Sequence, residues 1–306
     1  MQTRQAHWSL VLVFGLLIGV PALKDFTPDM KKFKAASIQM AGFVFIPSGE
    51  LLISETNKTT INDFYMFETE VTNGQYQLYL EDLRKQNKTE ELAIAEVRGE
   101  LWKTLSKNNQ PIADHYFSHP AYTNYPVVNV TYQAAVNYCE WLSQQVNAKL
   151  ESTSVKVRLP QKTEWIYAGR GGRDSAIYPW GGYYVQNNKG CYLANFNPQD
   201  EVNDDGGAFT VLASAYFPND FGLYNISGNV AEMVAEEGVA MGGSWNTESY
   251  KDIRVDSESN YMDAGPTLGF RPVLSFDGTM MEKKQANKIL GKAWKKMCKE
   301  LEKRTD

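Results

Sequence analysis

The stretch "VKVRLPQKTEWIYAGRGG", Val155 to Gly172, decides the fold class. It reads as a strand, then Pro160, then a short helix that ends at Gly171-Gly172, residues able to take the positive φ of a helix C-terminus. Just upstream, "YPVVNVTYQAAVNYCEWLSQQVNAKL" (Tyr125–Leu150) has the same order. Val127 to Val130 is expected to form a short strand, and Thr131 to cap the helix that follows. In that helix Ala134, Ala135, Tyr138, Cys139, Trp141 and Leu142 recur at three- and four-residue spacing.

Toward the N-terminus, "AGFVFIPSGELLISE" (Ala41–Glu55) starts as an apolar strand and turns at Pro47-Ser48-Gly49, which reads as a hairpin. "INDFYMFETEVTNGQYQLYLEDL" (Ile61–Leu83) contains a strand, then Thr72-Asn73 as the cap of a helix starting near Gly74. Residues 84–124 are polar and partly helical, and read as an insertion. From Arg173 to Pro272 regular patterns thin out in favour of Gly, Asn, Asp and aromatic residues. So long an irregular stretch needs stapling by ions, disulfides or dense packing. Three cysteines cannot supply it, so bound cations are to be considered beside dense aromatic packing.

The chain has 306 residues, 43% hydrophobic and 12% aromatic, with a net charge of −5. That composition is globular, and its bulk charge gives no sign of nucleic-acid binding. The charge is uneven. From Glu282 to Asp306 nine basic residues face four acidic ones, a net of +5 that leaves −10 for the rest. In this tail Leu290, Trp294, Met297 and Leu301 share one helical face among lysines. Two readings stay open: it packs on its own domain, or it docks on an acidic partner or membrane surface. At the other end, Arg4 precedes an apolar run from Trp8 to Val20, and Val20-Pro21-Ala22 offers a small residue before a cut. This reads as a signal peptide over residues 1–22 or as an uncleaved N-terminal anchor through which the chain meets the membrane. A linker (23–40), a main domain (41–276) and the basic segment (277–306) follow. Cys139 sits in a helical pattern and reads as a buried apolar residue.

Several segments resemble one family in order. "RLPQKTEWIYAGRGG" resembles R-L-P-T-E-x-E-W-E-x-A-A-R-G-G, and "YPVVNVTYQAAVNYCEW" resembles P-V-x-x-V-S-W-x-D-A-x-x-Y-C-x-W. "FGLYNISGNVAEMV" (Phe221–Val234) resembles G-L-Y-D-M-x-G-N-V-W-E-W, and "GGSW" with "LGFRPV" resembles the closing G-G-S-W … G-F-R. The chain is similar, over residues 41–276, to the formylglycine-generating enzymes, or sulfatase-modifying factors. The resemblance implies an α+β, C-type-lectin-related fold with little regular structure. It also implies structural calcium at two sites, one matching Asn225, Gly228, Val230 and Glu232, the other Asn195, Phe196, Asp205 and Gly207. Oxygen-rich loops of this kind suit calcium. Read from the residues alone, Asp204 and Asp205 beside two glycines form a solvated turn equally well.

Catalytic members carry two cysteines just after G-G-S-[WY], bind copper and oxidise a substrate cysteine. The matching positions here are Thr247 and Asp252, and neither can supply a thiolate. His115 and His119, in "DHYFSHPAY", are spaced for a helical metal site, but Pro120 ends any helix there. The chain is thus expected to be a non-catalytic scaffold or binding component, resembling the GldJ/GldK-type proteins of gliding motility and type IX secretion. That implies export to the periplasm or outer membrane of a Gram-negative cell, with other cell-envelope proteins as partners. Two rivals are an enzyme with redirected chemistry built on Glu232, Asp252 and Arg254, and a lectin-like carbohydrate binder. Within "GGSW", Gly242 and Gly243 are expected to allow close packing, Trp245 to be buried, and Arg254 to pair with a buried carboxylate.

Overall fold

A computed structural model describes residues 42–54, 56–105, 110–150, 155–198 and 208–276. The N-terminal apolar run, the linker and the basic tail lie outside these residues, as do Asp204, Asp205 and Gly207. No helix among the described residues is long and apolar enough to cross a membrane.

A four-stranded sheet organises the N-terminal half in the order β1-β4-β10-β5, from β1 (Phe43–Ile46), β4 (Phe64–Phe67), β10 (Val273–Phe276) and β5 (Val155–Arg158). The last strand enters between β4 and β5, pairing antiparallel with both, so the two ends of the domain close one sheet. The hairpin expected at Pro47-Ser48-Gly49 does not form. β1 pairs with β4 in the register Phe43↔Phe67, while β2 (Gly49–Ser54) pairs with β3 (Asn57–Ile61) as a separate ribbon. Burial explains the correction. All four residues of β4 and three of the four in β1 are buried, as in a sheet covered on both faces, whereas β2 and β3 mostly expose theirs.

Helix α1 (Asn73–Lys85) starts at a complete capping box. Thr72 Oγ1 accepts from Gln75 N at 3.3 Å, and Gln75 Oε1 accepts from Thr72 N at 2.9 Å. Its Tyr76, Tyr79, Leu80 and Leu83 are buried against α4 (Tyr132–Leu150), where Tyr76 stacks on Tyr138 at 5.6 Å. Thr131 caps α4, accepting from Ala134 N at 3.1 Å. Cys139 is buried there, and burial pushes its thiol up, so it acts as a small apolar side chain.

Val127–Val130 is not a strand. One isolated bridge, Thr72↔Pro126, and the bond from Val127 N to Val71 O tie it to the entry of α1. Asn129 then takes φ 64°, which ends any extended run. The expected insertion holds α2 (Thr89–Ile94), a 3₁₀ turn at Gly99–Thr104, α3 (Gln110–His115) and another 3₁₀ turn at Pro120–Tyr122. Helix α5 (Lys162–Gly169) follows β5 and ends at Gly171 and Gly172, both at positive φ, as the pattern predicts.

The C-terminal half carries little regular structure: β6 (Ala231–Met233), β7 (Val239–Met241), β8 (Glu258–Asn260) and β9 (Leu268–Phe270), three residues each, in the order β8-β7-β6-β9. Buried asparagines do much of the stapling. Asn219 donates to the carbonyls of Ala168 and Gly169 and accepts from the amides of Phe221 and Leu223. One side chain thereby satisfies two carbonyls at the end of α5 and holds a turn 50 residues later.

Candidate functional site

Two features converge on the irregular half: a buried polar centre and an open cleft. The centre is built on Asn229. Its Nδ2 donates to Glu70 Oε1 at 2.8 Å, and its Oδ1 accepts from Val211 N at 2.8 Å. Its own N–H donates to Asn195 O at 2.7 Å, and its carbonyl accepts from Trp245 N at 2.8 Å. One residue at φ 60° therefore joins β4's end, two loops and the "GGSW" segment. Gly228 beside it forms a parallel bridge with Asn195, and a Cβ on Gly228 would lie 2.2 Å from Asn195 O. The chain can pass so close only without a side chain.

The two residue sets expected to bind calcium thus meet, through Gly228 and Asn195, in this centre. Their fit to a cation differs residue by residue. Asn225 Oδ1 is buried and meets no donor among the described residues, while its Nδ2 donates to Leu212 O and Ala213 O. An orphaned buried oxygen is what a bound cation would satisfy. Glu232 does not fit. Its Oε1 accepts from Arg271 Nη2 at 2.7 Å and from Nε at 3.1 Å, and its Oε2 accepts from Trp165 Nε1 at 2.7 Å and from Arg271 Nε at 3.0 Å. Both oxygens are engaged, and a guanidinium at that distance repels a dication. Phe196 is buried beside Tyr192; Asp205 and Gly207 lie outside the described residues.

Glu70 is a residue that sequence reasoning missed. It is fully buried, and no cation lies within ion-pair distance of it among the described residues. Burial, more than any neighbouring charge, pushes its carboxyl up to about 8. The sequence carries no signal for it: in the "ETEVTN" segment between β4 and the Thr72 cap, Glu68 is exposed and Glu70 buried, and only the surrounding fold tells them apart.

The cleft lies between the 244–252 loop, β8 with the residues after it, and the Val185–Pro198 segment, with a volume of about 1050 Å³. Thr247 and Asp252 both line it. Thr247 Oγ1 accepts from Ser244 N at 2.9 Å, so the hydroxyl closes a turn. "GGSW" behaves as expected: Gly242 and Gly243 take φ 86° and 67°, and Trp245 is buried, stacked on Trp102 at 6.0 Å. Arg254 departs from expectation, pairing with the half-exposed Asp256 beside it. The trio Glu232, Asp252 and Arg254 is not assembled, since Glu232 sits in the core and Asp252 alone of the three lines the cleft. His115 and His119 stay close, with ring centroids 6.3 Å apart, because His119 N still reaches His115 O across the end of α3. His119 Nδ1 accepts from Ala121 N, so this imidazole caps the next 3₁₀ turn.

The sequence profile of the sulfatase-modifying factor enzyme 1-like domain matches residues 28–276. The chain belongs to that family. It is 32% identical over 164 residues to a formylglycine-generating enzyme of Thermomonospora curvata, covering 52% of this chain and 46% of the relative. It is 27% identical over 241 residues to that of Mus musculus, covering 69% and 56%. An inactive C-alpha-formylglycine-generating enzyme 2 of Bos taurus is 33% identical over 114 residues, covering 37% and 33%. The chain spans about half the length, or less, of these curated relatives. PvdO from Pseudomonas aeruginosa shares the fold at a TM-score of 0.52 and 19% identity, over 76% of this chain and 94% of PvdO. CarF does so at 0.52 and 21%, over 77% and 98%. The mixed helix-and-sheet architecture of the sulfatase-modifying factor domain is therefore that of this chain.

Proposed function

We propose that this sulfatase-modifying factor domain is non-catalytic and keeps its cleft for recognition. The observation that carries the reading is the identity of Thr247 and Asp252. Both line the cleft, and counted on from Ser244-Trp245 they fall where the resemblance places the two thiols of the cysteine-oxidising members. A hydroxyl closing a turn and a carboxylate offer copper(I) no soft donor. A relative named as inactive, 33% identical over 37% of this chain, supports the reading. The export-like N-terminus and the basic tail, read from the sequence, support a role as a scaffold in a cell-envelope complex, with gliding motility or type IX secretion as the setting. Calcium, implied by the family resemblance, would be held by Asn225 Oδ1 with the main chain at Gly228 and Val230, and not by Glu232.

The test incubates the purified chain with copper(I), oxygen and a cysteine-bearing peptide, and traps aldehyde with a fluorescent hydrazide. No aldehyde is expected. Aldehyde above a copper-only control overturns the reading.

A further inference from the structure

The outer side of a sheet's end strand is a row of unpaired N–H and C=O groups, which folds usually cover. This fold covers one such row and leaves another bare. β5 is the end strand of the first sheet, paired with β10. On its outer side α4 supplies the missing partners. Asn147 Oδ1 accepts from Val155 N at 3.1 Å, and Asn147 Nδ2 donates to Val155 O at 2.8 Å. Ser143 Oγ accepts from Val157 N at 2.7 Å and donates to Val157 O at 3.2 Å. Side chains of a helix thus stand in for a further strand.

β8 has no such cover. It is the end strand of the second sheet and, among the described residues, pairs antiparallel with β7 alone. Tyr261 N donates to Gly238 O at 3.0 Å. Hydrogen-bonded pairs alternate along an antiparallel ladder, so Ser259, opposite Ala240, also turns its N–H and C=O toward β7. The N–H and C=O groups of Glu258 and Asn260 therefore point out of the sheet, and nothing among the described residues bonds to them. All three residues of β8 are exposed, and all three line the cleft. The lining also has a marked charge. It carries the carboxylates of Glu248, Asp252, Glu258 and Asp263 and, among the described residues, no Lys, Arg or His. Lys162 pairs with Glu258 and Arg98 with Asp263 from outside the wall, whereas the exposed Asp252 has no ion-pair partner among the described residues.

We propose that β8 is a docking edge, where an extended segment of a partner protein with Lys or Arg at alternate positions adds to the four-stranded sheet as a further strand. The outward N–H and C=O groups of Glu258 and Asn260 give such a segment its main-chain bonds, as in other strand additions. Residues opposite each other in a ladder point to the same face, so the basic side chains bonded across from Glu258 and Asn260 lie beside the Glu258 carboxylate. The proposal rests on the reading of the cleft as a recognition surface and gives it a binding mode. The strand backbone sets the register, and the carboxylates set the preference for a basic partner.

Amide hydrogen exchange of the full chain, followed by NMR, tests it with a short peptide alternating Lys and Thr as the probe. Without peptide, the amides of Ser259 and Tyr261 are expected to exchange slowly and those of Glu258 and Asn260 fast. Saturating peptide should slow Glu258 and Asn260. Methylating the peptide's Lys nitrogens, which face β8 in the proposed register, should abolish binding, and methylating its Thr nitrogens should spare it. A peptide with Glu in place of Lys should bind roughly tenfold less tightly, the sum of a few cross-strand charge pairs. Asn260→Pro removes an outward N–H where an end strand tolerates proline, and should lose binding with the thermal midpoint kept. Fast exchange at Glu258 and Asn260 under millimolar peptide overturns the proposal. So does equal binding of the two methylated peptides, which would leave charge alone at work. Slow exchange at these amides without peptide that fades on dilution also overturns it, because a second copy would then hold the edge. None of these results touches the non-catalytic reading, which stands or falls on the aldehyde assay.

Discussion

The guanidinium of Arg271 holds both carboxylate oxygens of Glu232 at 2.7 to 3.1 Å, with both side chains out of reach of solvent. The same guanidinium donates to Phe67 O at 3.0 Å and Tyr224 O at 2.7 Å. One cation thus ties β9's end to β4, β6 and the loop before β6. Removing one partner strands a buried charge, which costs about 3–5 kcal/mol. Arg271→Leu should lower stability by that amount in urea unfolding. The double variant Arg271→Leu/Glu232→Leu should recover part of the loss, because no orphan charge remains. A double variant less stable than the sum of the singles would show that the pair contributes through something other than mutual neutralisation.

Gly242 is a second test of the core. It sits at φ 86°, and a Cβ there would lie 2.5 Å from Ile226 O and 3.1 Å from the Trp165 ring. Gly242→Ala combines left-handed strain of about 1–3 kcal/mol with a backbone clash. The expected readout is a fall in thermal midpoint. Gly190→Ala, also at positive φ but with nothing within 4 Å, should fall less. Equal losses would mean that the close approach at Gly242 is relieved without cost.

Legibility varied along the chain, with physical causes. The Thr72 cap, the α4 face and the α5 ending were readable because local hydrogen bonds and periodicity decide them. The partner of β1 was not. A Pro-Ser-Gly turn permits a hairpin, but burial on both faces sent β1 to β4 across the domain. Val127–Val130 looked like a strand because it is apolar; Asn129 at φ 64° prevents it, and only the fold shows that cost being met. At the site, the chemistry of Thr247 and Asp252 was legible from motif order. The ion-pair partner of Glu232 was not, since Arg271 lies 39 residues away. Nor was Glu70, whose importance comes from what surrounds it.

Glu70 makes stability depend on pH. Its folded-state carboxyl, pushed up to about 8 by burial, holds a proton that the unfolded chain releases near 4.3. Between those values the unfolded state binds fewer protons, so folding stability falls as pH rises from about 4.3 to about 8. Glu70→Gln keeps an acceptor for Asn229 and removes the titration. With a chelator present, its thermal midpoint should exceed that of the wild type at pH 8, and the gap should close toward pH 5. A gap independent of pH would assign the effect to packing.

Calcium discriminates between the roles of the Asn225 amide and the Glu232 carboxylate. If Asn225 Oδ1 satisfies a bound cation, calcium should raise the thermal midpoint after chelator treatment, in proportion to the logarithm of its concentration over Kd. Asn225→Ala should abolish that rise. Glu232→Gln should lower the midpoint through Arg271 yet leave the rise intact. A calcium response lost in Glu232→Gln and kept in Asn225→Ala would reverse the assignment.

The cleft itself can be asked whether it lost only its thiols. Thr247 and Asp252 line one wall-to-wall space, and neither is buried in the core. Thr247→Cys/Asp252→Cys should therefore give a chain that competes for copper(I) against a chromogenic chelator at one ion per molecule, as soft paired thiolates do. Each single variant should compete at least tenfold less well, which corresponds to ~1.4 kcal/mol of lost binding. The wild type should not compete above buffer, despite the partly exposed Cys191. If the double variant gains nothing over the singles, the two positions do not converge, and the cleft has changed in shape as well as in chemistry.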